Sequence, residues 1–535
     1  MVRRVILPLV LFAVLVARLS ADAHQSQFGM SGITIDATTG QLLSGSEVSI
    51  GKAEHFETTL QKVLTESDGR FAFTRLQPGK YWLAARRNGF RKQGYEQHGG
   101  YISAVVVGPG LVSDNLIFRL HPDASISGTI IDGDNEAVPN ARVRLFDTDL
   151  STGLKQFSYV SEALSDDRGA YRFDHLDSGQ YFVVISAQPW YGSVVSALRQ
   201  GKGWDPSAAS SVFDMVYPTT YYPGATESSS ASTILLHDGE NFVADVTLVA
   251  QPALRLRVNH MNSDAQRPRA ASLQQPVFGT LIALPSTQQN AIDDAVEISG
   301  IPPGRYLLDV QSSGIVNTRC RVVDLRGDTE VDAFETTPLP LIRGVVHVDG
   351  GVILRSPFLR LWNPLTEEIL ETTFSDSGEF SLNPEFLTPG TYAVFLMNGE
   401  NSIISSISAT GAKVMGQSIQ IRGATTIQLS IGLSGSLSTI NGTALRDGRP
   451  LPGAMIVLVP QNPEVNLPLF RRDQSDSDGT FTLRDVLPGR YKIMGIDNGW
   501  DLEWANPTVV RPRLAHAVDE QVQPNMTYKV IVNVQ

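Results

Sequence analysis

One phrase constrains this chain more than any other feature. It is clearest as Asp478-Gly479-Thr480-Phe481-Thr482-Leu483-Arg484-Asp485-Val486-Leu487-Pro488-Gly489-Arg490-Tyr491, and it returns from Asp68 to Tyr81 and from Arg168 to Tyr181. Looser copies run from Ser377-Gly378-Glu379-Phe380 to Tyr392 and through Pro302-Pro303-Gly304-Arg305-Tyr306. That makes about five copies spaced roughly 100 residues apart, too long a period for a solenoid and suited to a string of small domains. Asp-Gly ahead of alternating apolar residues is a hairpin signal, because Gly accepts positive φ. Phe71 and Phe73 lie two apart and share one face of a strand. Pro78-Gly79 then predicts a type II turn with Gly at positive φ, and a new strand begins at Tyr81. The same glycines do not form a phosphate cradle: neither G-x-x-x-x-G-K-[ST] nor G-x-G-x-x-G is present, and strands stand on both sides.

The 535 residues suffice for several such domains, each with a modest core. A formal charge of −12 and a pI near 5.3 argue against a nucleic-acid partner. Arg3-Arg4, the apolar run Val5 to Ala17 and Ala21-Asp22-Ala23 read as a signal peptide over residues 1–23, with a mature start at His24. The apolar run is shorter than the roughly 20 residues of a spanning helix, and no later segment reaches that length. Cys320 is the only cysteine, so no intrachain disulfide is available and packing must hold the domains.

Along the chain we place a first sandwich at 27–121, a second at 122–250 with an aromatic insertion at 188–230, a degenerate third at 251–336, a fourth at 337–433 and a fifth at 434–535. In the third, the Asp-Gly hairpin has become Asp293-Asp294-Ala295. Linkers of a few residues predict neighbours stacked in a semi-rigid rod. The cluster Arg86-Arg87-Asn88-Gly89-Phe90-Arg91-Lys92 reads as a solvated basic loop.

The second domain carries Gly128-Thr129-Ile130-Ile131-Asp132, then Pro139-Asn140-Ala141-Arg142-Val143-Arg144-Leu145, then the core phrase. This pattern resembles the carboxypeptidase regulatory-like family, a transthyretin-like or carbohydrate-binding-like sandwich of about seven strands. The resemblance implies a fold rather than an active site. The expected class is all-β: a tandem array of about five small antiparallel Greek-key sandwiches after a cleaved signal peptide.

Chemistry is sparse. His237-Asp238-Gly239-Glu240 matches His-x-x-Glu, with His347 downstream, but it sits in a hairpin between two strands and the partner lies in another domain, so no metal site is assigned. Asp476-Ser477-Asp478-Gly479 resembles half of a calcium loop yet departs from it at Gln474 and Asp485. With no G-x-S-x-G elbow and scattered histidines, no catalytic residue and no cofactor is assigned. The candidate ligand-binding residues are loop aromatics able to stack on sugar rings: Trp190, Trp204, Tyr221, Tyr222, Trp500 and Trp504. For those of the insertion, where Tyr217 to Gly224 reads as a rigid folded segment, packing against the end of the sandwich is the favoured reading. The sequence reads as an exported, non-catalytic binding or scaffold protein, periplasmic, outer-membrane-associated or extracellular, whose partner is a carbohydrate or a cell-envelope protein. A carbohydrate-binding protein using those aromatics is the first alternative. A hydrolase, peptidase or glycosidase, with no recognisable site is the alternative of a different class.

Overall fold

The computed structural model describes residues 28–111, 113–191, 214–261, 269–284, 288–292, 294–312, 319–333, 341–348, 356–366, 368–382, 387–399, 402–422 and 426–535. The leader expected at 1–23 and the candidate Trp204 lie outside these residues.

Alternating apolar residues build each unit as two facing sheets. In the first, Phe28–Asp36 lies between Arg70–Leu76 and Leu116–Leu120, while the other sheet runs Gln61–Leu64, Glu47–Lys52, Gly79–Arg87, Phe90–Gly94. In all five units the opening strand pairs in parallel with the closing one, as Phe28–Asp36 does with Leu116–Leu120 and Ser438–Arg446 with Thr527–Asn533. Val246–Leu248 continues this parallel pairing in the second unit, and the other strand pairs are antiparallel. The degenerate third unit keeps both sheets, four strands each, and its hairpin is closed by pairing Ile292 with Ala295.

The repeated phrase does two jobs. Its Gly residues sit in the left-handed region at Gly69, Gly169, Gly378 and Gly479, with φ between 73° and 83°. Each hairpin closes with the same pair of backbone bonds, as Asp476 N to Thr480 O and Gly479 N to Asp476 O, both 2.8 Å. Its second turn departs from the type II expectation. Gly79 takes φ of 148°, away from the roughly 80° of a type II turn, and Gly179, Gly304, Gly390 and Gly489 do not take positive φ; the left-handed conformation falls earlier, on Arg75, His175 and Asp485 (φ 62°, 58° and 55°), beside a slip in strand register. A bulge, rather than the Pro-Gly pair, re-aims the strand. The Gly that follows is tightest in the fourth copy, where a Cβ on Gly390 would lie 2.5 Å from Asn363 Nδ2.

The closing Tyr makes a second contact that recurs in every copy. Tyr81, Tyr181, Tyr306, Tyr392 and Tyr491 each donate their hydroxyl to the carbonyl four residues earlier, at 2.7–2.9 Å. A buried phenol thus stitches the strand crossing in all five copies, a tyrosine corner in a sandwich core.

The rod expectation fails. Parallel first and last strands put a unit's entry and exit at opposite poles, which favours extension, yet the fifth unit packs against the first, second and fourth. Side-chain complementarity between non-consecutive units, absent from any linker-length argument, folds the array back on itself.

Candidate functional site

The chemistry-bearing side chains converge on the fifth sandwich. Its longest inter-strand connection, residues 497–517, carries Trp500 and Trp504, and the edge strand Arg471–Gln474 runs beside it. Trp504 is 5% exposed and donates Nε1 to Leu150 O at 2.9 Å in the second sandwich. Ala505 N donates to Gly153 O at 2.9 Å, and Lys155 N to Glu503 Oε1 at 3.0 Å. Gly153 is required there: its φ is +87°, and a Cβ would sit 2.3 Å from that of Ala505.

Trp500 is half-buried and stacks on His98 of the first sandwich, centroids 4.7 Å apart and planes 7° from parallel. The Arg472 guanidinium lies 4.7 Å from the Tyr101 ring, 5.3 Å from Trp500 and 4.8 Å from Trp504. The aromatic box is therefore filled from within by a cation.

The hairpin of the phrase supplies the next contact. Asp476 accepts from Lys80 Nζ and, at 2.8 Å, from Ala104 N; Ser477 Oγ accepts from Val106 N at 2.8 Å, and Ser477 N donates back to Ala104 O at 3.0 Å. Gln474, 2% exposed, donates to Ser103 Oγ at 2.8 Å and Glu96 O at 2.6 Å. Burial pushes the Asp476 carboxyl up, and the Lys80 ammonium opposes this. Beside it, burial pushes Asp473 up to about 6, against hydrogen bonds from the Thr482 and Gln474 backbone. The half calcium loop is thus a docking loop whose carboxylate is engaged by the first sandwich.

Two further joints lie away from the fifth sandwich. Asp238 of the His237 hairpin bonds His121 Nδ1 at 2.5 Å and Arg91 at 3.2 Å, and Arg91 also reaches Asp177 at 2.7 Å. Burial raises the Asp238 carboxyl, but bonds from His121 and Ser178 and the Arg91 charge outweigh it and hold the group below its usual value. The loop read as solvated is in part an interdomain clasp. Glu240 accepts from His237 N at 2.9 Å, so the His-x-x-Glu motif caps its own turn. Between the second and third sandwiches, Phe278 lies 4.2 Å from Phe157 in a stack, with Phe146, Phe182 and Tyr221 at 5.2–5.5 Å.

The predicted aromatics therefore separate. Tyr221 (2% exposed) and Trp504 are buried anchors and Trp500 is engaged by His98, which overturns their assignment as free stacking platforms: apolar rings with one polar handle gain more from burial between sandwiches. Tyr222 is half-buried, edge-on to Phe242 at 6.1 Å. Trp190 stays 74% exposed, edge-on to Tyr191 at 5.4 Å. Sequence reasoning missed Lys80, His98, Arg472, Gln474 and Phe278; the Phe278-Gly279 pair at a hairpin tip was the one local hint. No helix among the described residues is long and apolar enough to cross a membrane.

Residues 29–119 and 125–203 match the family model of the carboxypeptidase regulatory-like domain. The chain carries two carboxypeptidase regulatory-like domains. These two regulatory-like domains are among the units that the fifth sandwich packs against. No curated protein matches the chain. Among solved structures it is similar to the Bacillus anthracis TIE protein (11% identity, 95% of this chain and 75% of that one, TM-score 0.18). It is also similar to GBS52, the minor pilin of Streptococcus agalactiae (10%, 42% and 96%, TM-score 0.20), and to the shaft pilin SpaA from Lactobacillus rhamnosus GG (9%, 42% and 97%, TM-score 0.21). Likenesses at such scores say nothing of function.

Proposed function

We propose that this chain is an exported, non-catalytic scaffold of the cell envelope or surface, in which the fifth sandwich clamps the array into one fixed arrangement. The observation that carries this is the use of its side chains: Asp476, Gln474, Arg472, Trp500 and Trp504 all serve contacts between sandwiches. A preorganised array presents several faces at set positions to a partner without ordering cost on binding. Fractionation of cells producing the full chain tests the location and should place it in the envelope or medium. Pull-down from envelope fractions tests the role, and turnover of peptide or glycan panels by the purified protein would defeat it.

Among the described residues, a carbohydrate-binding reading through the loop aromatics is supported by Trp190 alone, the exposed member of the set. A glycan array comparing wild type with Trp190→Ala should show lost signals; identical arrays retire that reading.

A further inference from the structure

The fourth sandwich carries a feature its siblings lack. In the other four units the closing strand is the edge of its sheet, whereas here Ile403–Thr410 continues past it, giving the order Glu379–Leu382, Leu341–Val348, Thr426–Ser434, Ile403–Thr410. The added strand presents Ser406, Ser408 and Thr410 outward.

Register arranges the outward side chains in rows. Ser381, Arg343, Gln428 and Thr410 stand side by side across the four strands. The next row holds Glu379, Val345, Ser430 and Ser408, and a third holds His347, Gly432 and Ser406. Small residues therefore floor the middle, between Arg343 and Gln428 at one side and His347 at the other. A Cβ on Gly432 would come 2.4 Å from Ser406 Oγ, so Gly keeps this floor low. The result is an open trough of about 900 Å³, lined by this sandwich alone, within the size range of ligand sites.

The lining selects a class of ligand. Hydroxyls and a carboxamide both donate and accept, as the hydroxyls of a sugar ring do. Arg343 is exposed and has no ion-pair partner among the described residues; its planar fork suits a carboxylate held by two bonds. Its own row contains no acid, although the protein is acidic overall. A peptide laid on a sheet would want apolar pockets for alternate side chains, and the strand Leu341–Val348 offers on this face only Val345 and, at its end, Leu341. We propose that this face binds an acidic polysaccharide, with a uronate carboxylate on Arg343 and ring hydroxyls on Gln428, Ser430 and Ser408. The site uses none of the residues that clamp the array, so it goes beyond the scaffold reading and stands or falls separately.

Calorimetric titration of the whole mature protein with oligogalacturonate, dextran and polyglutamate tests it. Oligogalacturonate should bind, with dextran and polyglutamate at least about tenfold weaker. Arg343→Gln should weaken binding about tenfold or more by removing a charge-assisted pair, and Ser408→Tyr should weaken it by filling the trough with no change of charge. Both variants should melt as wild type does, since both positions are exposed. No binding of oligogalacturonate, equal binding of polyglutamate, or unchanged titrations in both variants would overturn the proposal. Loosening the clamp with Lys80→Asp should leave the titration as it is, which separates failure of this site from failure of the scaffold reading.

Discussion

Asp473 is the carboxyl whose ionisation the fold resists most clearly. Its carboxyl is raised to about 6 by burial. A raised acid favours the protonated form in the folded state, so the stability it contributes is full below the unfolded value near 4 and is lost as pH rises through about 6. Asp473→Asn keeps an oxygen to accept from Thr482 N and removes the charge. It should therefore raise stability at pH 7.5 by on the order of 2 kcal/mol, and the gain should vanish below pH 4. Urea melts of both proteins across pH 4–8 check this; a gain independent of pH would assign the effect to packing instead. Only the fold makes this acid unusual, since in sequence it is one of 55.

At the scale of elements, the hairpin formed by Arg269–Val277 and Thr280–Ala283 acts as a plug. Its tip residue Phe278 takes φ of 46°, which a bulky residue tolerates only when its surroundings hold it there. Phe146, Phe157, Phe182 and Tyr221 supply that hold. Phe278→Ala should cost about 3 kcal/mol in coupling between the second and third sandwiches. In hydrogen exchange the third sandwich should lose protection while the first keeps its own. Unchanged exchange in the third would show that the backbone bonds at the joint suffice. The strands themselves were legible, because period-two alternation and Asp-Gly pairs are local signals. The bulges at Arg75, His175 and Asp485 were not, since residues as different as Arg, His and Asp fill the position and share no local signal; each lies two residues before the carbonyl that the closing Tyr bonds.

For the whole molecule, the contact between first and last sandwiches decides the shape. Lys80 and Asp476 form its ion pair, flanked by backbone bonds to Ala104 and Val106. Lys80→Asp places two acids together in a partly buried joint and should open the array. Small-angle scattering would then report a larger radius of gyration, and Asp476→Lys in the same chain should restore the compact value. A radius unchanged in the single variant would mean that the stacking of Trp500 on His98 and the Gln474 bonds hold the joint without the ion pair. The semi-rigid rod came from linker length alone, which limits how far neighbours swing but carries no information about units hundreds of residues apart.

The repeated phrase determined the fold of each unit by itself: alternating Phe, Leu and Tyr fill a core, and Gly at positive φ closes a hairpin, all within about 14 residues of chain. Which aromatics are sites was decided elsewhere. Trp500, Trp504 and Tyr221 look alike as exposed loop rings in sequence, yet they are taken up by His98, Leu150 and Phe278 from distant parts of the chain. The Arg343 face had no signal of its own, because Ser, Thr and Gln at alternate positions are what any solvent-facing strand carries. Register across four strands makes a trough of them, and register is a property of the assembled sheet.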